Sequence, residues 1–203
     1  QIKLSVLLTK QFTYFLGGAP DPYSALCRFE RLTEEISGIP QRREWLKLFY
    51  DPAALNDLAR ILGTSDVLWE DFVRTQYESL LPLLRADTRA RRSFSPRALE
   101  ARLDCAIREA DADKRFVDVL NEWKDREIFL IDLDRILHEQ ADVHALAEPL
   151  TRLAEVVVSR ASNYVYEQLV KRHGTPCTVA GLEVCYAVFG LGKFGGVALG
   201  YAS

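Results

Sequence analysis

The chain has 203 residues, 48% of them apolar and 27% charged, and a formal net charge of −3. That length holds one large domain, or one domain and part of another, with enough apolar residues for a sizeable core. The slightly acidic balance gives no global field toward nucleic acid, and no apolar run reads as a membrane span or a signal peptide.

The apolar stretch from Leu4 to Leu16 is broken by Lys10 and Gln11. Gly17–Pro22 and Gly38–Pro40 read as turns. Pro52-Ala53-Ala54-Leu55 opens a short helix that Gly63 closes. Ser65 or Asp66 caps a helical stripe of Leu68, Phe72, Val73, Tyr77, Leu80, Leu81 and Leu84, weakened at its end by Pro82. Arg85, Arg89, Arg91, Arg92, Arg97 and Arg102 form a basic stretch that reads as a solvated helix end and loop, or as a dock for an acidic group.

Ser95-Pro96 starts a helix cleanly. Ser95 can cap, Pro96 sits at the first helical position, and Phe94 and Leu99 flank the cap as a hydrophobic staple. Leu99, Leu103, Ala106 and Ile107 form its apolar face. A long helix is expected from about Asp113, with Phe116, Val119, Leu120, Trp123, Leu130, Ile131, Leu133 and Leu137 at helical spacing. Within it Arg126-Glu127 reads as a buried salt bridge that fixes helix packing or as an exposed pair, and Glu127, near the apolar stripe, is expected to be partly buried. Asp132 and Asp134 fall on different faces and make a poor metal site. Another helix is expected from Asp142, a plausible cap, to Gly174, with Pro149 kinking it or resetting its start. Lys171, Arg172 and His173 suit its C-terminal dipole.

The four cysteines (Cys27, Cys105, Cys177, Cys185) are scattered and read as small core residues in a reducing cytoplasm. His138, His144 and His173 lack metal-ligand spacing. The chain begins at Gln1 and holds no methionine, which reads as an engineered or processed piece or as an incomplete sequence.

Gly174-Thr175-Pro176 marks a boundary. The expected fold is mainly α: a helical domain over 1–174, then over 175–203 the truncated start of an α/β domain. Val184–Phe189 has the composition of a strand and leads into Gly190-Leu191-Gly192-Lys193-Phe194-Gly195-Gly196. Glycines after a strand let backbone N–H groups approach an anion closely, so this turn is a candidate phosphate site. Gly190-x-Gly192-x-x-Gly195 also fits a Rossmann dinucleotide fingerprint, which needs a following helix and an acidic residue about 20 positions on. A turn without ligand, in a non-catalytic helical interaction module, is the third reading.

The longer string Gly192-Lys193-Phe194-Gly195-Gly196, followed by Leu199-Gly200-Tyr201-Ala202-Ser203, resembles the glutamine synthetase adenylyltransferase family of the nucleotidyltransferase superfamily. Trp123–Leu133 resembles that family's Arg-Glu helix segment, though Leu130 stands where Arg is more usual. Leu150-Thr151-Arg152-Leu153-Ala154-Glu155 is similar to another of its stretches, and Leu62–Leu68 more weakly to a third. The resemblance covers roughly residues 60–203, and residues 1–60 match nothing. It implies that Gly192, Lys193, Gly195, Gly196 and Ser203 bind nucleotide phosphate, and that the metal-binding carboxylates come immediately after Ser203, leaving no catalytic residue or metal ligand within the chain. It further implies Mg2+ and ATP as cofactors, glutamine synthetase and the PII signalling protein as partners, and transfer of AMP to, or its removal from, a tyrosine.

Overall fold

The structure is a computed structural model, and it describes residues 10–38, 40, 42–64, 69, 84, 93–138 and 143–200. The expected capped stripe from Ser65 to Leu84, the Asp142 cap, and the final Tyr201-Ala202-Ser203 lie outside the described residues, except that Trp69 and Leu84 are described and buried. The chain divides into two compact units. One comprises residues 1–92 with 133–139, the other residues 93–132 with 140–203.

Among its described residues the first unit contains helical residues 10–15, a 3-10 turn, Leu16–Gly18, and the helices α1 (Pro22–Ile36), α2 (Arg42–Leu48) and α3 (Pro52–Leu62). Pro22 begins α1 instead of ending the expected turn. Asp21 caps it, its carboxylate accepting from the backbone N–H of Tyr23 and Ser24. Asp51 caps α3 in the same way ahead of Pro52. Proline at the first helical position loses no hydrogen bond, because that N–H has no helical acceptor. Helices α1 and α3 pack against each other. Their apolar stripes meet around stacked Phe12 and Phe29, whose ring centroids lie 3.9 Å apart, with Phe49 edge-on to Phe29. Arg28 is buried here, and its guanidinium donates to the Leu62 carbonyl at 2.6 Å. That bond places a cation at the carbonyl end of α3, where the helix dipole favours it.

The second unit contains α4 (Pro96–Glu109), most of α5 (Phe116–Leu137), α6 (Val143–His173) and the single turn α7 (Gly192–Gly195). The Ser95 hydroxyl caps α4, accepting from the Ala98 N–H, and Phe94 and Leu99 are both buried beside it. Helix α5 starts at Phe116, three residues after the expected Asp113. The chain first makes a turn closed by Lys114 N–H to Asp111 C=O, and Arg115 then pairs with Asp118 in the first helical turn. Helix α6 runs without interruption through Pro149, so the proline does not reset its start. Enough hydrogen bonds flank the missing one to hold the helix. Gly174 closes α6 at φ +84°, the left-handed conformation open to glycine, and donates to the Val170 carbonyl.

Helices α4 and α6 pack together. Leu99 and Leu103 on α4 are buried, as are Leu150, Leu153 and Val156 on α6 and Val119, Leu120 and Trp123 on α5. The Phe116 and Tyr164 rings stack at 4.5 Å. Inside this unit Glu127 is fully buried, beyond the partial burial expected, and its partner is Arg102 on α4 instead of its neighbour Arg126, which is exposed. Arg102 Nε and Nη2 donate to the two carboxylate oxygens at 2.9 and 2.8 Å. Consecutive residues on a helix diverge by about 100°, so Arg126 and Glu127 cannot share one face.

Candidate functional site

From Thr175 to Gly200 the chain is not helical, apart from α7. Cys177 and Glu183 face each other across an antiparallel bridge, closed by Thr178 N–H to Leu182 C=O and Val184 N–H to Pro176 C=O, each 2.8 Å. The expected strand Val184–Phe189 is extended but carries no ladder. Among the described residues no other strand lies beside it, and a strand exists only when a neighbour takes its backbone groups. Its apolar side chains are exposed, Val188 to 57% and Phe189 to 84%. Cys177 and Cys185 are exposed too, against their expected place in the core, and all four cysteines are free thiols.

The segment is tied to α6 at Tyr186. Its hydroxyl donates to Asn163 Oδ1 at 2.8 Å, and its ring lies 5.1 Å from that of Tyr166. Partial burial raises the Tyr166 phenol above its ordinary value, and Glu183 nearby adds to the shift.

The glycine turn itself is tight. Gly192 sits at φ +58°. A Cβ on Gly195 would lie 2.3 Å from the Gly190 carbonyl oxygen, closer than any real contact, so the backbone packs on itself where only glycine fits. Gly196 has φ −89°, so its requirement is space and not handedness: a Cβ there would lie 3.1 Å from the Gly192 oxygen. The N–H groups of Gly195, Gly196, Val197 and Ala198 donate to the carbonyls of Leu191, Gly192, Phe194 and Lys193 in turn. Lys193 is exposed on the turn. Val197 holds φ +55°, a strained conformation for a β-branched residue. Ser203, the fifth predicted phosphate residue, lies outside the described residues. Helix α7 ends after four residues and the chain is irregular from Ala198 to Gly200, whereas a dinucleotide fold needs a helix running on from the third glycine.

Sequence reasoning missed one feature of the site. An open groove of about 500 Å3 separates α6 from the Tyr186–Gly195 segment, bordered by the hydroxyls and carboxamide of Ser159, Ser162 and Asn163. These residues sit on a helix face that periodicity alone reads as solvated, and only the return of the chain along α6 makes them a wall.

Among the described residues, no three Asp, Glu, His or Cys side chains converge where a metal ion could be held. No helix among them is long and apolar enough to cross a membrane.

A family model described as glutamate-ammonia ligase adenylyltransferase matches residues 55–203. A bifunctional glutamine synthetase adenylyltransferase/adenylyl-removing enzyme of Alteromonas mediterranea is 30% identical over 206 residues, taking in 98% of this chain and 20% of that protein. The protein of the same description from Thioalkalivibrio sulfidiphilus is 29% identical over 201 residues, with 92% of this chain and 19% of its own length covered. One from Shewanella loihica reaches 43% identity over 61 residues, 30% of this chain and 6% of that protein. These matches extend the likeness over the first 60 residues, which had matched nothing by motif. The chain spans about a fifth of the length of the curated relatives it matches. No solved structure matches it. With a family model covering residues 55–203 and relatives covering nearly all of the chain, the protein belongs to the glutamate-ammonia ligase adenylyltransferase family.

Proposed function

We propose that this chain is the helical region, residues 1–174, and the opening of the catalytic domain, residues 175–203, of an enzyme that transfers AMP from ATP to a tyrosine of glutamine synthetase or removes it again. The family match over residues 55–203 carries the reading, since relatives of this description are named for those two activities. A cytoplasmic setting, with glutamine synthetase and the PII signalling protein as partners, belongs to the same proposal.

Phosphate is held at Gly192, Lys193, Gly195, Gly196 and Ser203. The support is local. The Gly190–Gly195 approach leaves a surface without side chains, and Lys193 stands exposed on it as a point charge. The amides of Gly195 and Gly196 already donate within the turn, so these two glycines serve by their lack of a side chain. The described residues do not fit a resident magnesium ion. The resemblance assigns the metal-binding carboxylates to positions after Ser203, and residues 1–203 alone are then inactive toward glutamine synthetase.

The test is Gly195→Val in the full-length protein. Displacing a bound phosphate by about 1 Å is enough to cost on the order of 100-fold in rate, and a valine Cβ 2.3 Å from the Gly190 oxygen forces the turn to move. AMP transfer to glutamine synthetase should fall at least that far, with helix content by circular dichroism unchanged. Turnover within a few-fold of wild type would show that the turn holds no phosphate.

A further inference from the structure

We infer that the groove between α6 and the Tyr186–Gly195 segment seats the nucleoside of the nucleotide, with Asn163 and Ser162 reading it. This rests on the proposed phosphate role of the glycine turn and goes beyond it. It assigns a recognition surface to a helix that precedes the catalytic motif.

The groove has the size for it. At about 500 Å3 it falls in the range of small-molecule sites, roughly 300–1,000 Å3. One wall ends at Gly190, Phe194 and Gly195, so a ligand lying along the groove reaches the glycine turn without leaving it. Along α6, the rise of about 1.5 Å per residue sets Asn163 roughly 12 Å from Glu155. That span suits a nucleoside with its phosphates extended. Val158 and Val188 give the groove apolar surface against which a flat base can lie, and Ser159 and Ser162 line it with hydroxyls.

Asn163 is the reading group because Tyr186 already takes its carbonyl side. Tyr186 Oη donates to its Oδ1 at 2.8 Å, and Tyr186 is in turn held by its ring contact with Tyr166 at 5.1 Å. The carboxamide therefore offers its NH2 side to a ligand, a donor suited to the acceptor nitrogens on the edge of a purine. Glu155 lies two helical turns away, and its carboxylate acts on phosphate as a like charge. It sets the overall affinity for polyphosphate but does not distinguish a nucleoside from none.

Two probes separate the parts of the site: ATP, and inorganic tripolyphosphate, which carries the phosphates alone. Both are titrated by calorimetry into the full-length protein at one fixed magnesium concentration. Wild type should prefer ATP. Asn163→Ala should weaken ATP about tenfold, the effect of one lost hydrogen bond to a ligand, and leave tripolyphosphate within about twofold. Tyr186→Phe keeps the ring and frees the carboxamide, and should weaken ATP about threefold by the same reasoning. Glu155→Gln should move both ligands together and keep their ratio. If Asn163→Ala fails to fold, Ser162→Ala provides the same comparison from the neighbouring position. Equal affinity of wild type for ATP and tripolyphosphate, or an unchanged preference in the variants, would overturn the nucleoside site while leaving the phosphate turn standing. Binding of neither probe to wild type would instead sink the phosphate turn and this inference with it.

Discussion

Arg102 and Glu127 show how much one residue pair decides here. Glu127 has no exposed side-chain surface and Arg102 retains 22%. A buried carboxylate held by a bidentate guanidinium is a poor contributor to net stability, yet removing one partner leaves a charge without compensation. Arg102→Ala should lower stability by about 3 kcal/mol, read as a lower urea midpoint. Glu127→Gln should lower it less, because the amide keeps a hydrogen-bond acceptor toward Arg102 and the remaining cation is part-exposed. If the two variants unfold at the same midpoint, the buried carboxylate is not the costly member. The pair could be half-read from sequence. Glu127 lies near the apolar stripe of α5 and was legible as a partly buried acid, but Arg102 lies 25 residues away on another helix and its role depends on how α4 packs.

Two helix starts, at Pro52 and at Ser95-Pro96, were legible in the sequence, whereas Asp21-Pro22 begins a helix where a turn was expected; all three set a side-chain acceptor before a proline. Asp21 also carries a pH dependence. The Ser24 hydroxyl, which donates to its carboxylate at 2.6 Å, with the Ser24 and Tyr23 amides, holds its pKa below the ordinary carboxylate value. A carboxyl depressed in the folded state contributes stability above its unfolded pKa, and that contribution is lost as pH falls through the folded one. Asp21→Asn should flatten the loss of stability below about pH 4, measured by thermal melts across that range. A variant as acid-sensitive as wild type would show that the cap does not titrate with folding. Within α6, Pro149 leaves the Ala145 carbonyl without its helical donor. Proline costs an interior helix position about 3 kcal/mol relative to alanine, so Pro149→Ala should raise the melting temperature. A fall would mean that Pro149 packs in a way alanine cannot reproduce.

At the scale of the whole molecule, the contrast lies between a packed helical part and an extended tail. Every residue from 171 to 193 is exposed, and Tyr186 ties the tail to α6 through its hydrogen bond to Asn163 and its ring contact with Tyr166. Deleting residues 175–203 should leave the far-ultraviolet circular dichroism of the remaining helices intact, because their cores lie before Gly174. It should also improve solubility, since an extended apolar segment without a sheet partner invites association. Loss of helix on deletion would mean that the tail and the helices share one core.

The sequence by itself determined the mainly helical class, the helix starts at Pro52 and Ser95-Pro96, the end of α6 at Gly174 and the glycine turn with its family likeness. These follow from local rules: a cap, a proline at the first helical position, a left-handed glycine, a spacing of apolar residues. Tertiary structure alone decided the partner of Glu127, the cation at the end of α3, and the groove against α6. It also decided that Val184–Phe189 makes no ladder. A strand's composition is local, but its hydrogen bonds belong to whichever chain lies beside it. Position along the sequence does not set that neighbour, just as it does not set which helix faces a buried charge.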